Sequence, residues 1–588
     1  MANTQAILKI LAKDFPNAKS ELNFNNPYEL IVAVILSAQC TDKRVNLVTP
    51  HLFEVAPTPQ TLANLPLEQI EQIIRPCGFY HSKATYLKEM AHDLVVRFGG
   101  QVPQNLADLQ TLKGVGRKTA NVVYAVAFGG QAIAVDTHVF RVSNRLGIVN
   151  AKNVLDTEKQ LMQAIPQNEW ADSHHYILLH GRYVCKAQNP QCSRCSVKAY
   201  CKHYAEQQAQ KSLVEACKCL GCKNALCQAH CPIGNPIAQI TSLVKAEKWS
   251  KASQLVRHPF GEICGYVCPH DEQCFGNCVL NGKKMAVDFP QIERTLCAQH
   301  PFRWKTTGNK LKGKKVAIVG GGVAGITFAS QMYQEGATIT IYEKDQLLST
   351  LKLIPNLRLP QVAIQRIIDH IPHEITIVKD VVDSQKLANL QAENDIVYIA
   401  TGATINYTLG VPGEHLATTS NSCLMGNVAG KVVVVGGGNT AIDCATHAKS
   451  LGCDVTVAYR RSQADMPAFK KEIANAMAVG VNFLFNVAPI GVDKNDTNLT
   501  LTVAKTVSQG RGALQITDEL LTINCDHVVC AVGGSCDKCL FGGAKPQPNQ
   551  NNQISPNTFV GGDAIGGGLV IKAVQHALEC AKYIINER

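Results

Sequence analysis

The sequence predicts a multidomain chain: a helix-bearing N-terminal part ending in a cysteine loop, a second cysteine-rich segment, and an α/β C-terminal part. Three observations predict it. The stretches MANTQAILKILAKDF and TANVVYAVAF follow helical periodicity. Two cysteine frameworks of different spacing then follow one another between Cys185 and Cys278. Beyond them a strand, glycine turn, helix and second strand occur twice in the same order. The 588 residues leave room for about three or four domains.

Composition narrows the setting. Hydrophobic residues make up 46% and charged residues 18%, a globular balance. No apolar run reaches the roughly 18–20 residues of a membrane span. The opening residues place Lys9, Lys13 and Asp14 within their apolar pattern, which reads as an amphipathic helix rather than a signal peptide. A cytoplasmic protein with no membrane partner is therefore expected, and in a reducing compartment its 24 cysteines point to metal ligands rather than disulfides. Of the net charge of +11, residues 1–210 carry 21 Lys and Arg against 16 Asp and Glu, leaving +6 for the rest. Charge alone does not locate a DNA-binding half.

In the first part, Gly114 and Gly116 of LKGVGRKTANVVYAVAF bracket a tight turn before a helix. Such a turn lets bare backbone N–H groups meet a phosphate oxygen at the positive end of the helix dipole. Lys118 falls in the first helical turn, where the dipole and Arg117 disfavour its ammonium and ease formation of a nucleophilic amine. Asp136, in AVDTH, is read either as a helix cap or as a catalytic acid. Cys185, Cys192, Cys195 and Cys201 are spaced C-x6-C-x2-C-x5-C, a set of thiolates that suits a four-iron cluster or zinc.

Together PYELIVAVILSAQCTD, the hairpin with Lys118, VDTH, LLHGRYVC and the four-cysteine loop resemble the endonuclease III family over about residues 1–205. The resemblance implies an all-α helix-hairpin-helix DNA glycosylase of two subdomains with a 4Fe–4S loop. It would excise oxidised pyrimidines from double-stranded DNA and nick abasic sites by β-elimination. Lys118 would attack C1′ through a Schiff base, and Asp136 would stabilise the developing oxocarbenium charge. Gln39 and His138 would approach the position vacated by the flipped base. Phe79 stands where the family usually has an aliphatic wedge, and Lys113 where the hairpin commonly has proline.

The next cysteines are Cys219, Cys222, Cys227 and Cys231, spaced C-x2-C-x4-C-x3-C-P, then Cys268, Cys274 and Cys278. Seven thiolates and one further ligand would serve two four-iron clusters; a zinc ribbon is the alternative. GKKVAIVGGGVAGITFASQMYQEGATITIYEKD is a dinucleotide fingerprint with Gly320, Gly322 and Gly325 for the pyrophosphate and Glu343 for a ribose hydroxyl. The second copy has Gly436, Gly438 and Ala441 and ends in Arg460 and Arg461. Two cations there suit a 2′-phosphate and favour NADPH over NADH.

Residues 208–588 resemble the small subunit of glutamate synthase and the flavin half of dihydropyrimidine dehydrogenase. The resemblance implies an α-helical ferredoxin-like two-cluster domain followed by α/β tandem Rossmann-type FAD and NAD(P) domains. FAD would take a hydride from NAD(P)H and pass single electrons through the clusters to an unknown acceptor or partner subunit. It implies further that Asp563 binds the ribityl chain, and that Glu293, in QIER, is either a non-cysteine cluster ligand or a surface acid. Where relatives carry Gly-Gly, this chain has Leu347 and Leu348, whose side chains would crowd the flavin.

The expected domains are 1–207, 208–305 and 306–588, the last with an NAD(P)-binding insertion at about 412–535. The leading reading is a base-excision repair glycosylase with lyase activity fused to an NAD(P)H-dependent iron–sulfur flavoprotein. The alternative is an NAD(P)H:acceptor oxidoreductase whose N-terminal part is a DNA tether or a redox-regulated passenger.

Overall fold

The computed structural model describes residues 3–495, 498–508, 512 and 514–587. The chain forms two compact units, Met1–Gln208 and Ala209–Arg588. Among the described residues no helix is long and apolar enough to cross a membrane.

The first unit is helical and has two cores. At the centre of one lies the helix Pro27–Leu36, whose residues from Tyr28 to Leu36 are all buried. A helix apolar on every side must be surrounded, and Asp42–Val55, Tyr80–Phe98 and Arg117–Phe128 supply much of that surround. Its start is set locally: Asn26 caps Glu29 and Pro27 occupies the first turn, where a missing N–H costs nothing. The second core joins Ile7, Leu8 and Leu11 of the first helix to Val139, Val142, Leu146 and Ile177. The amphipathic N-terminal stretch therefore packs with residues more than a hundred positions later in the chain.

In the second unit a helical, cysteine-bearing segment precedes two parallel sheets. The six-stranded sheet runs Gln553–Ser555, Thr558–Val560, Ile396–Ile399, Lys315–Val319, Thr338–Glu343, Thr376–Lys379, parallel except at its first strand. Its central strands are continuous apolar runs, as burial on both faces requires. The chain leaves this sheet after Ile399 and returns at Gln553. Between those points it builds a five-stranded parallel sheet ordered Thr418–Thr419, His527–Cys530, Lys431–Val435, Asp454–Tyr459, Asn482–Phe485. A three-stranded antiparallel sheet, Val487–Asn495, Asn498–Ser508 and Leu514–Cys525, is part of the same insertion. In each of these two sheets the glycine turn follows an interior strand, Lys315–Val319 or Lys431–Val435, at the carboxyl edge where dinucleotide sites form.

Candidate functional site

Gly114 has φ +73°, and a Cβ there would lie 2.7 Å from Tyr86 Cβ, so the hairpin presses its backbone against the helix Tyr80–Phe98. Gly116 begins the helix Arg117–Phe128 with open space around it. Lys118 follows in the first turn and is exposed. Arg117 does not act on it as an isolated cation: its guanidinium donates Nε to both oxygens of Glu158, at 3.1 and 3.0 Å, and Nη2 to one at 2.8 Å. The expected repulsion between Arg117 and Lys118 is offset by this carboxylate, which also accepts from Asn121.

Asp136 is a helix cap. One oxygen accepts the Val139 N–H at 2.8 Å at the start of Thr137–Leu146, leaving the other outside the cap. His174, on the helix Trp170–Tyr183, feels the charges of both Asp136 and Lys118, which brings these two predicted residues into one electrostatic environment. His174 was not anticipated. Burial holds its ring neutral, with a pKa pushed down to about 3, and its Nδ1 has no hydrogen-bond partner. A histidine in an apolar helical stretch carries no sequence signal that separates it from an ordinary core residue.

Gln39 and Phe79, the predicted base-probing residues, both have left-handed backbones, φ 52° and 60°. Phe79 is 68% exposed. Their loops meet: a Cβ on Gly78 would stand 3.8 Å from the Gln39 carbonyl oxygen. His138 sits where Gly181 admits close helix crossing, since a Cβ on that glycine would be 3.0 Å from His138 Cβ. Arg141 Nη2 donates to His138 Nδ1 at 3.2 Å and to the carbonyls of Gly181 and Cys185.

The first four-cysteine loop is tied to the same helix. Arg145 donates to Cys185 Sγ at 3.6 Å and to the Lys186 and Ala187 carbonyls, while Cys201 Sγ donates to the Arg145 carbonyl at 3.3 Å. Cys185, Cys192 and Cys201 each raise the Cys195 pKa, which burial above all pushes up to about 12. Four thiols within reach of one another, whose ionised forms repel, fit a cationic cluster that replaces their protons. All 24 cysteines are free thiols. Among the described residues no three His, Cys, Asp or Glu side chains are gathered tightly enough to hold a single metal ion.

In the second unit the cysteines do not pair off in sequence order. Cys227 feels Cys278, Cys219 and Cys222, and these four line one largely apolar cavity. Cys231 instead feels Glu293 and Cys268, and Cys274 feels Glu293, Cys268 and Cys231. Glu293 is no surface acid: it is 6% exposed, accepts from Asn235 Nδ2 at 2.8 Å, and burial pushes its pKa up to about 8. Two four-membered donor sets result, each fitting one cluster.

Both glycine turns are cradles that side chains would fill. A Cβ on Gly320 would meet the Ala400 carbonyl oxygen at 2.4 Å, and one on Gly325 the Gly320 oxygen at 2.0 Å, while Gly322 faces open space. Glu343, at the end of its strand, accepts the Gly321 N–H at 2.7 Å. Asp563 accepts the Gly568 N–H at 2.9 Å, and burial raises its pKa. Leu348 has the left-handed φ of 57° that glycine adopts freely, yet points into the core at 1% exposure. Leu347 lies over the turn, its Cδ2 2.4 Å from where a Gly321 Cβ would be. In the second copy, a Cβ on Gly436 would meet the Ala531 oxygen at 2.2 Å, Gly438 opens on free space, and Ala441 is buried under the turn. Arg460 and Arg461 directly follow the strand Asp454–Tyr459; Arg460 is exposed, and Arg461 donates to the Gly512 carbonyl at 3.4 Å.

Three family models match successive parts of the chain. Residues 32–167 match the HhH-GPD superfamily of base excision DNA repair proteins, 193–302 match dihydropyrimidine dehydrogenase domain II with its 4Fe-4S cluster, and 314–577 match the pyridine nucleotide-disulphide oxidoreductases. Endonuclease III of Bacillus subtilis is 47% identical over 202 residues, covering 34% of this chain and 92% of that protein. The Escherichia coli K12 enzyme is 44% identical over 197 residues, covering 34% and 93%. A solved endonuclease III–DNA covalent intermediate is 48% identical, covers 35% of this chain and 99% of its own, and has a TM-score of 0.34.

Proposed function

Because the chain belongs to the endonuclease III family, and its first unit is thereby a base-excision repair glycosylase, we propose that Lys118 is the nucleophile of a combined glycosylase and abasic-site lyase. The carrying observation is an exposed amine in the first turn of the hairpin helix, sharing one electrostatic environment with Asp136 and the neutral His174. Lys118 Nζ forms a bond to C1′ of the damaged nucleotide as the bond from C1′ to the base breaks. The sugar ring opens to an imine; loss of a 2′ proton then breaks the C3′–O bond and nicks the strand. Asp136 stabilises the positive charge that develops on the sugar. Gly114 and Gly116 bring backbone N–H groups to a phosphate, and Gln39, Phe79 and His138 contact the opened duplex. Cys185, Cys192, Cys195 and Cys201 would hold a 4Fe–4S cluster that braces the helix bearing Asp136.

The second unit is an oxidoreductase module. Its Gly320, Gly322, Gly325, Glu343 and Asp563 would hold FAD; Gly436, Gly438, Ala441, Arg460 and Arg461 would hold NADPH. The flavin supplies the two-electron to one-electron conversion between nicotinamide and iron–sulfur clusters. Cys219, Cys222, Cys227 and Cys278 would hold one cluster, and Cys231, Cys268, Cys274 and Glu293 the other.

Lys118→Gln tests the central claim. The variant is expected to lose strand cleavage and borohydride trapping on abasic DNA while oxidising NADPH at the parental rate. Persistent trapping would remove Lys118 as the nucleophile.

A further inference from the structure

Two of the first unit's six cysteines lie outside its four-cysteine loop, Cys40 and Cys77. Each belongs to the same apolar core, and Cys40 acts electrostatically on Cys77. Cys40 directly follows Gln39 and Cys77 stands two residues before Phe79, so each thiol sits beside one left-handed probe residue. The loops also touch through Gly78 and the Gln39 carbonyl. Cys77 is fully buried and Cys40 partly exposed. Lys83, only 4% exposed, donates its ammonium to the Leu36 carbonyl at 2.8 Å, and its charge reaches both sulfurs.

We propose that Cys40 and Cys77 are a reversible redox pair, closed to a disulfide by a hydroperoxide, and that the bond locks the Gln39 and Phe79 loops together and weakens DNA binding. The Cys40 thiolate attacks one oxygen of hydrogen peroxide; the O–O bond breaks, water leaves, and a sulfenic acid remains. The Cys77 sulfur then displaces that hydroxyl, giving up its proton, and a second water leaves. Two thiols lose two electrons and one peroxide becomes two waters. Exposure makes Cys40 the thiol that peroxide reaches. Burial pushes the Cys77 thiol up to about 11, which keeps it protonated until its partner has reacted.

The consequence rests on the proposed role of Gln39 and Phe79 in opening the duplex, which needs the two loops free to enter it. The test uses the full chain reduced, peroxide-treated, and treated then returned to dithiothreitol. Non-reducing peptide mass spectrometry reads the bond, and affinity for a duplex with a tetrahydrofuran abasic analogue reads its effect. A Cys40–Cys77 linked peptide is expected, with affinity falling roughly tenfold and recovering under dithiothreitol. Cys40→Ser and Cys77→Ala should each retain affinity under peroxide, with iron measured in parallel to exclude cluster loss. Absence of the linked peptide overturns the pair; a linked peptide with unchanged affinity, or equal loss in both variants, overturns its coupling to DNA. Since the readout is binding rather than cleavage, an error in assigning Lys118 leaves this result unaffected.

Discussion

Glu158, 5% exposed on the helix Val154–Ala164, holds the guanidinium of Arg117 on both carboxylate oxygens. The pair links the residue beside Lys118 to a helix some forty positions further on. Replacing Glu158 by Gln leaves Arg117 charged without its counter-ion. A loss of about 1–3 kcal/mol in unfolding free energy is expected, read by denaturant titration. An unchanged unfolding curve would show the pair to be incidental.

The two hairpin glycines separate folding from binding. Gly114 combines φ +73° with a neighbour 2.7 Å from its absent Cβ, so Gly114→Ala strains the turn; about 1–3 kcal/mol of stability should be lost. Gly116 has φ −77° and nothing within 4 Å of the added atom. Gly116→Ala should keep its stability to within about 1 kcal/mol yet weaken duplex binding if, as proposed, the open space at Gly116 admits a phosphate. Denaturant titration and fluorescence anisotropy on the same samples distinguish the two.

His174 makes the first unit acid-sensitive. Its ordinary pKa of 6.5 is pushed down to about 3 by burial, so between those values the unfolded chain binds a proton that the folded one refuses. Stability is intact above about pH 6.5 and falls as the pH drops toward 3, with a slope of up to about 1.4 kcal/mol per pH unit from this group. His174→Gln should flatten that part of the stability–pH curve. An equally steep curve in the variant would transfer the effect to other groups, such as the buried His180.

Cluster sorting in the second unit has its own signature. If Cys278 closes the set of Cys219, Cys222 and Cys227, then combining Cys219→Ser with Cys278→Ser removes about four irons from a total of about twelve, no more than either change alone. Combining Cys219→Ser with Cys231→Ser removes about eight. Sequence-order sorting predicts the reverse, so iron analysis of the purified variants decides.

Much of this protein is legible in its sequence, for a physical reason: the hairpin, the cysteine loop and both glycine turns are local devices. Gly320 and Gly436 must lack a Cβ because a carbonyl stands beside the strand end, and that requirement leaves its mark within a few residues. Helix identity is equally legible where apolar residues recur at helical spacing, as in Thr4–Asp14 and Arg117–Phe128. The second cap oxygen of Asp136, by contrast, shows why type and position alone left cap and catalyst unresolved: one carboxylate has two oxygens.

By itself, then, the sequence determined the order of the parts, the number of thiols and the chemistry each motif can support, since those depend on neighbours along the chain. Only the tertiary structure decided that Cys278 lines one cavity with Cys219, Cys222 and Cys227, that Arg117 answers to Glu158, and that His174 feels the charges of both Lys118 and Asp136. Such partners are chosen by packing between distant segments, where burial and Coulomb forces act through space and leave no spacing to read.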